Sequence, residues 1–208
     1  MITADPTPDE ERRLSTLHAL KILETPQEHR FDSITRLAAH ILNVPIVAIS
    51  FVDEHEQFFK SIYGLNVRRT SREVSFCAHA ILEDGPFIVN NALKDERFRD
   101  NPLVLHDPKI RFYAGIPIAA TNGCKLGTLC SIDRKPRRFS DEQLSMLQDL
   151  AMWAELQLHA IETSDALLRY RIRERRMKNA MEKLFLAIEN SNGSSAKAAA
   201  NSLNELFH

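Results

Sequence analysis

The chain has 208 residues, a net charge of −1, 44% hydrophobic and 26% charged residues. That length suits one domain of about 150 residues plus an extension, and the near-neutral balance excludes a global field that would demand nucleic acid or a membrane surface. Cys77, Cys124 and Cys130 are too few and too irregular for a secreted disulfide framework, residues 1–13 lack the apolar core of a signal peptide, and no apolar run approaches the roughly 20 residues of a membrane span, so the expectation is a reduced, cytoplasmic protein.

Three segments carry the chemistry of a helix start, a hydroxyl followed three residues later by Glu or Gln: Thr7-Pro8-Asp9-Glu10, Thr25-Pro26-Gln27-Glu28 and Ser140-Asp141-Glu142-Gln143. After the first, Leu14, Leu17 and Leu20 recur at helical spacing. After the second, Phe31, Ile34, Leu37, Ala38, Ile41 and Leu42 do the same. From Pro45 the pattern changes. Residues 46–52 form a short apolar, β-branched run that predicts a buried strand, residues 53–56 a polar turn, and residues 57–63 the returning strand, stopped by Gly64. A charged loop over 68–73, a short helix over 74–82 and a brief strand over 86–90 follow. Residues 91–109 read as a long polar loop, a length that in a small domain usually serves function.

Residues 110–121 and 124–133 predict a hairpin around Asn122-Gly123, a two-residue type I′ signal. In that register paired residues sum to 245. Tyr113, Gly115 and Pro117 then share a face with Ile132, Cys130 and Thr128, while Phe112, Ala114, Ile116 and Ile118 share the other with Asp133, Ser131, Leu129 and Gly127; a bulge at Pro117 would break the register. A last helix is predicted from Asp141 to about Glu189. Leu144, Leu147, Ala151, Ala154, Leu158 and Ile161 keep heptad spacing, Leu168 and Ile172 remain in phase, and Met177, Met181, Leu184 and Ile188 resume at a shifted phase. Such a seam predicts a parallel homodimer. Residues 190–195 read as a flexible break, and the remainder to His208 as a short amphipathic helix.

The ordered blocks carry a family resemblance. They include Ile22-Leu23-Glu24-Thr25-Pro26, Ser50-Phe51-Val52-Asp53, Ser75-Phe76-Cys77-Ala78-His79-Ala80-Ile81, Arg111-Phe112-Tyr113-Ala114-Gly115 and Leu126-Gly127-Thr128-Leu129-Cys130. Over roughly residues 10–160 the series resembles the GAF domain, in its bacterial signalling subgroup. The resemblance implies an α+β fold: a central antiparallel sheet, N- and C-terminal helices on one face, and a short helix plus loops enclosing a ligand pocket over the other. The implied domains are 1–162 for the sensory unit and 163–208 for a C-terminal helical extension.

Candidate site residues are Phe59, Phe76, Cys77, His79, Tyr113, Gly115, Thr128 and Cys130, because the face carrying Tyr113, Gly115, Thr128 and Cys130 mixes small and polar groups suited to a ligand. Cys77 and His79 on a helix point about 200° apart, a poor chelate, and no metal set is assigned. The three cysteines leave open thiol chemistry similar to that of free methionine sulfoxide reductases. Ala78 separates Cys77 from His79, unlike bilin-binding relatives, and the Asn-Lys-Phe-Asp-Glu motif of cyclic-nucleotide GAF domains is absent. Lys60 and Arg111 are read as solvated strand cations with a possible role at a pocket edge, and Asp95, Arg97 and Asp100 as local turn formers. The remaining histidines are scattered, and no phosphate-binding loop or nucleophile elbow is present. The basic run Arg169, Arg171, Arg173, Arg175, Arg176 and Lys178 is read as a solvated helix face, with no nucleic acid expected. The resulting expectation is a non-catalytic sensor that binds an unidentified small molecule, dimerises through its N- and C-terminal helices and acts on a downstream signalling protein. The alternatives are a thiol-based redox enzyme and a ligand-free interaction module. No cofactor is named.

Overall fold

The structure, a computed structural model, describes residues 1–189. The chain divides into two compact units, Met1–Ala160 and a second beginning at Ile161. The first is an α+β unit around one antiparallel sheet. Its strands are β1 (Ile46–Val52), β2 (Glu56–Tyr63), β3 (Arg69–Ser71), β4 (Phe87–Val89), β5 (Phe112–Ala119) and β6 (Lys125–Asp133), in the order β3-β2-β1-β6-β5-β4. The helices are α1 (Glu10–Ala19), α2 (His29–Leu42), α3 (Phe76–Ala80), α4 (Pro102–Leu105) and α5 (Asp141–Glu189). β1 and β6 lie at the centre, and every residue of β1 is buried. That is why the β1 segment reads as a continuous apolar run rather than an alternating one.

The sheet's pleat separates two layers. Ile46, Ala48, Phe59, Tyr113, Cys130 and Ile132 join α3, Phe98 and Val104 in one core. On the opposite face α2 packs over β1 and β2, and Thr35 Oγ1 meets Ser61 Oγ at 2.8 Å while Ser61 Oγ donates to Asp32 Oδ1 at 2.6 Å.

The 245 register holds from Phe112–Asp133 to Ile118–Gly127, through Pro117. It slips after Ile118, so that Ala119 pairs with Lys125. The turn explains the slip. Gly123 N–H donates to the Ala120 carbonyl, Ala120 N–H donates to the Cys124 carbonyl, and Gly123 has φ +83°, which makes a three-residue loop closed by a left-handed glycine instead of the two-residue turn. Ala119 does not lose its pairing: its N–H donates to Glu155 Oε2 at 2.8 Å, and its carbonyl lies 3.1 Å from His159 Nε2.

Of the three predicted helix starts, only the last forms in full. Gln143 N–H donates to Ser140 Oγ at 3.2 Å while Ser140 N–H donates to Gln143 Oε1 at 3.1 Å. At the first, Glu10 reaches back to Thr7 N–H at 2.9 Å, but the Thr7 hydroxyl donates to the same carboxylate and α1 begins only at Glu10. At the second, Thr25 closes a short 3-10 turn, Ile22–Glu24, by donating to the Ile22 carbonyl, and α2 starts at His29. Replacing Ser140 with alanine is expected to cost about 1 kcal/mol, read as a lower urea midpoint, because it frees one helix donor.

The apolar stripes are used only in part. Leu17 is buried but Leu37 and Ile41 of α2 are exposed. In α5, Leu147, Leu150, Ala151, Ala154 and Leu158 are buried in the first unit, so the heptad seam there serves the chain's own core instead of a copy. In the second unit α5 continues to Glu189, and Leu167, Leu168, Tyr170 and Ile172 are exposed, as are Arg171, Arg173, Arg175, Arg176 and Lys178. No described helix is long and apolar enough to cross a membrane. The predicted break at 190–195 and the terminal helix lie outside the described residues.

Candidate functional site

β2 does not alternate regularly. Ile49 pairs with Ser61 and Ser50 with Phe59, which leaves Lys60 as the extra residue of a bulge. Gln57, Phe59 and Ile62 thereby line one side of the sheet, while Lys60 and Ser61 turn to α2. Lys60 is consequently not a solvated cation, nor does it line a pocket. It is wholly buried, its ammonium pairs with Glu28 at 2.5 Å and donates to the Pro26 carbonyl at 2.8 Å, and burial pulls its pKa down against the pull of Glu28. Arg111 is likewise local, donating to the Val104 and Ile110 carbonyls at 2.7 and 3.0 Å. Arg97 forks onto Asp95 and covers the rings of Phe87 and Phe98.

Ser75 starts α3 by accepting from Ala78 N–H at 3.1 Å, and Asn101 starts α4 by accepting from Leu103 N–H at 2.9 Å. Asn101 is buried and also donates to the Val74 carbonyl at 3.0 Å. That bond ties the long loop to the start of α3. Between them, over β2 and the sheet, lies a cavity of about 380 Å³. Its walls are apolar, with Phe59, Ile62, Val67, Leu103, Ile110 and Ile132. Buried Gln57, Ser75, Cys77 and Tyr113 supply its inner polar atoms, whereas Asn66, Asp107 and Arg134 line it from exposed positions.

The inner groups form one chain of hydrogen bonds. Ser75 Oγ donates to Gln57 Oε1, which leaves Gln57 Nε2 to donate to Cys77 Sγ at 3.3 Å, and Tyr113 Oη donates to the same sulfur at 3.2 Å. Cys130 Sγ lies 3.9 Å from Cys77 Sγ, and all three cysteines carry free thiols. Burial opposes ionisation of Cys77, but hydrogen bonds from Cys130, Ser50, Thr128 and Tyr113 outweigh it and lower the thiol's pKa. The Cys77 interaction first, and burial second, push Cys130 well up. Tyr113 is raised by burial and by the two sulfurs.

Of the eight residues expected at the site, Phe59, Phe76, Cys77 and Tyr113 line the cavity. Cys130 and Thr128 stand behind Cys77 within the sheet. Gly115 leaves room for Tyr113: a Cβ there would lie 2.3 Å from the tyrosine oxygen. His79 faces away from the cavity, its Nε2 3.0 Å from the Ile2 carbonyl and its ring near Phe98 and Phe87. Gln57 and Ser75 were missed. The signal for Gln57 is its place two residues before Phe59 on one strand; that for Ser75 is a serine three residues before Ala78 at a helix start.

The profile of the GAF domain family matches residues 27–158. The chain belongs to the GAF domain family. A cyclic di-GMP phosphodiesterase of Pseudomonas aeruginosa is 40% identical over 158 residues, which are 76% of this chain and 27% of that protein. The chain thus spans little more than a quarter of that relative. Among solved structures, the blue-light absorbing form of the PixJ GAF domain of Thermosynechococcus elongatus superposes with TM-score 0.55 at 14% identity, covering 76% of this chain and 95% of its own. A free methionine-R-sulfoxide reductase of Neisseria meningitidis, in complex with its substrate, gives 0.53 at 14% identity, covering 79% and 99%. The GAF domain of an Acinetobacter phosphoenolpyruvate-protein phosphotransferase gives 0.51 at 20%, covering 76% and 98%. At these identities the superpositions establish the GAF fold, with its antiparallel sheet and flanking helices, and the family match makes residues 27–158 a GAF sensor domain.

Proposed function

We propose that this GAF domain is a non-catalytic sensory module that takes a small, largely apolar molecule into the cavity and passes its occupancy to α5. The observation that carries this reading is the cavity itself: about 380 Å³, within the range of about 300–1,000 Å³ usual for ligand sites, with apolar walls and a few convergent polar groups at Gln57, Ser75 and Tyr113. A ligand of matching chemistry has an apolar body and one hydrogen-bonding end. Ile132 lines the cavity, and the next residue, Asp133, holds Arg137 in an ion pair while Phe139 packs on Phe112 just before the Ser140 cap. This short path gives a bound molecule a mechanical connection to the start of α5. Kinship with a cyclic di-GMP phosphodiesterase supports a place as regulator of a signalling output. The exposed apolar residues of α5 beyond Ile161 support pairing with a second copy.

Native mass spectrometry of freshly purified chain tests both parts. The expected result is a dimer retaining a small molecule. Leu103→Trp, which fills the cavity from α4, is expected to abolish retention while the melting temperature stays within about 4 °C, the equivalent of about 1 kcal/mol. A monomer, or a chain that retains nothing and is stabilised by no member of a small-molecule panel, overturns the corresponding part.

A further inference from the structure

The ligand reading makes no use of the two sulfurs behind the cavity. Cys77 and Cys130 come from α3 and β6, 53 residues apart in sequence, and both are buried. Their sulfurs lie 3.9 Å apart, and a disulfide needs them at about 2 Å, a distance that side-chain rotation and a small shift of the five-residue α3 can close. Cys77 alone of the two lines the cavity. It also receives N–H and O–H donors from Gln57 and Tyr113, which stabilise a thiolate. A buried structural cysteine needs neither a path from the cavity nor a second thiol within reach. The arrangement instead has the parts of a two-thiol reaction: a thiol facing a small-molecule chamber, donors that hold its sulfur, and a partner sulfur on the far side.

We propose that Cys77 and Cys130 form a peroxide-responsive thiol pair, with Cys77 the sulfur that reacts and Cys130 the one that resolves. The co-reactant is an organic hydroperoxide small enough for the cavity, whose apolar walls favour an alkyl or aryl tail. The Cys77 thiolate attacks the terminal oxygen. The S–O bond forms, the O–O bond breaks, and the alkoxide leaves and takes up the proton that the Cys77 thiol gave up. Cys130 then attacks the sulfenic sulfur. The S–S bond forms, the S–O bond breaks, and hydroxide leaves with the Cys130 proton as water. Two thiols and one hydroperoxide become one disulfide, one alcohol and one water, and a dithiol restores the starting state. Tyr113 Oη and Gln57 Nε2 donate to the Cys77 sulfur and hold it facing the cavity before attack. Formation of the bridge draws Cys77 from these donors and alters the cavity's inner wall. Oxidation thereby changes what the cavity can hold.

The test uses the full chain carrying Cys124→Ser, which leaves only the pair, treated with cumene hydroperoxide and then analysed by non-reducing peptide mapping. The expected product is an intramolecular Cys77–Cys130 disulfide reversed by dithiothreitol. Cys130→Ser is expected to stop at a dimedone-trappable sulfenic acid on Cys77, and Gln57→Leu to slow oxidation about tenfold, the loss of one hydrogen bond to a charged sulfur. Thiols that stay free in the Cys124→Ser chain, a disulfide only between chains, or a Cys130→Ser chain in which dimedone never labels Cys77 overturns the proposal. The first readout needs no substitution within the pair, so misfolding of a variant cannot decide it. Retention of a ligand by the untreated chain is measured separately, and either result can fail without the other.

Discussion

Replacing Gly127 with alanine is expected to leave little or no folded protein. Gly127 lies in β6 between Phe51 of β1 on one side and Ile118 of β5 on the other, at the centre of the sheet. A Cβ at this position would sit 1.8 Å from the Ser50 carbonyl oxygen, 2.8 Å from its carbon and 2.9 Å from Phe51 Cα. All three are backbone atoms of a wholly buried strand, so no rotamer can relieve the overlap. Relief requires β1 and β6 to separate where they also carry Ser50 and Thr128 against Cys77. The expected loss is about 4 kcal/mol or more, against a total of about 5–15 kcal/mol for a domain of ordinary stability. Two other glycines calibrate the experiment. Gly85 has no atom within 4 Å of an added Cβ, and Gly85→Ala is expected to stay within about 0.5 kcal/mol of the parent. Gly123 has equally open space but φ +83°, and Gly123→Ala is expected to cost about 1 kcal/mol from backbone strain alone. Urea unfolding of the three variants checks the ranking. A Gly127→Ala protein as stable as Gly123→Ala would show that the sheet centre yields more easily than its geometry implies.

The parts of the fold that could be read from sequence are those where one local pattern had no competitor. β1 runs from Ile46 to Val52, the limits its apolar run suggests, because a run buried on both faces ends where apolar residues end. The β5–β6 register through Pro117 matches the one drawn from the Asn122-Gly123 turn, although the loop has three residues, because the irregularity between Ile118 and Ala119 offsets the difference; α5 follows from a cap with both reciprocal bonds and no proline or glycine between Asp141 and Glu189. The failures come where tertiary contacts override a local signal. Thr25-Pro26 has the letters of a helix start, yet Thr25 and the Pro26 carbonyl face the Lys60 ammonium, and α2 begins three residues later. Nothing in residues 57–63 announces that Lys60 is an extra residue, since a bulge is set by the partner strand. The same bulge places Ile62 at the cavity and Ser61 under α2, which strict alternation would exchange. Phe59, Phe76, Cys77 and Tyr113 were recoverable because strands and a capped helix fix their directions. Val67 and Leu103 come from segments without periodicity, and the place of Leu103 in the cavity depends on Asn101 tying the loop to Val74. His79 shows the converse: two residues from Cys77 on a helix, it turns away from it, as a rotation of about 200° requires.

Glu10→Gln is expected to cost about 3 kcal/mol at neutral pH and to remove part of the domain's acid sensitivity. Glu10 is the shared anion of two guanidiniums. Its Oε1 lies 2.6 Å from both Arg13 Nη2 and Arg72 Nη1, and its Oε2 accepts from Arg13 Nε at 3.1 Å and from the Thr7 backbone and hydroxyl at 2.9 and 2.7 Å. Arg13 is 2% exposed and also donates to the Val52 carbonyl; Arg72 donates to the Asp53 carbonyl at 3.1 Å. The cluster therefore locks α1 and the segment after β3 onto the end of β1. Arg72 Nη2 is already buried without a hydrogen-bond partner, so this site has no spare acceptor for a lost carboxylate. Glutamine keeps the shape but turns an N–H₂ toward cations that only donate. Burial would raise the Glu10 pKa, but the Arg13, Arg72 and Thr7 hydrogen bonds outweigh it and hold the carboxyl far below its ordinary value of 4.5. A carboxylate depressed on folding contributes stability that is complete above its unfolded value and is lost as pH falls from there toward the folded one. The parent's urea midpoint should therefore fall between about pH 5 and pH 3, and the variant's should fall less steeply over the same window. Glu28 and Asp95, depressed in the same direction, act equally in both proteins, so the difference between the two curves belongs to Glu10. Parallel curves would mean that Arg13 and Arg72 find their compensation elsewhere, and that the lock on β1 is one of packing instead of charge.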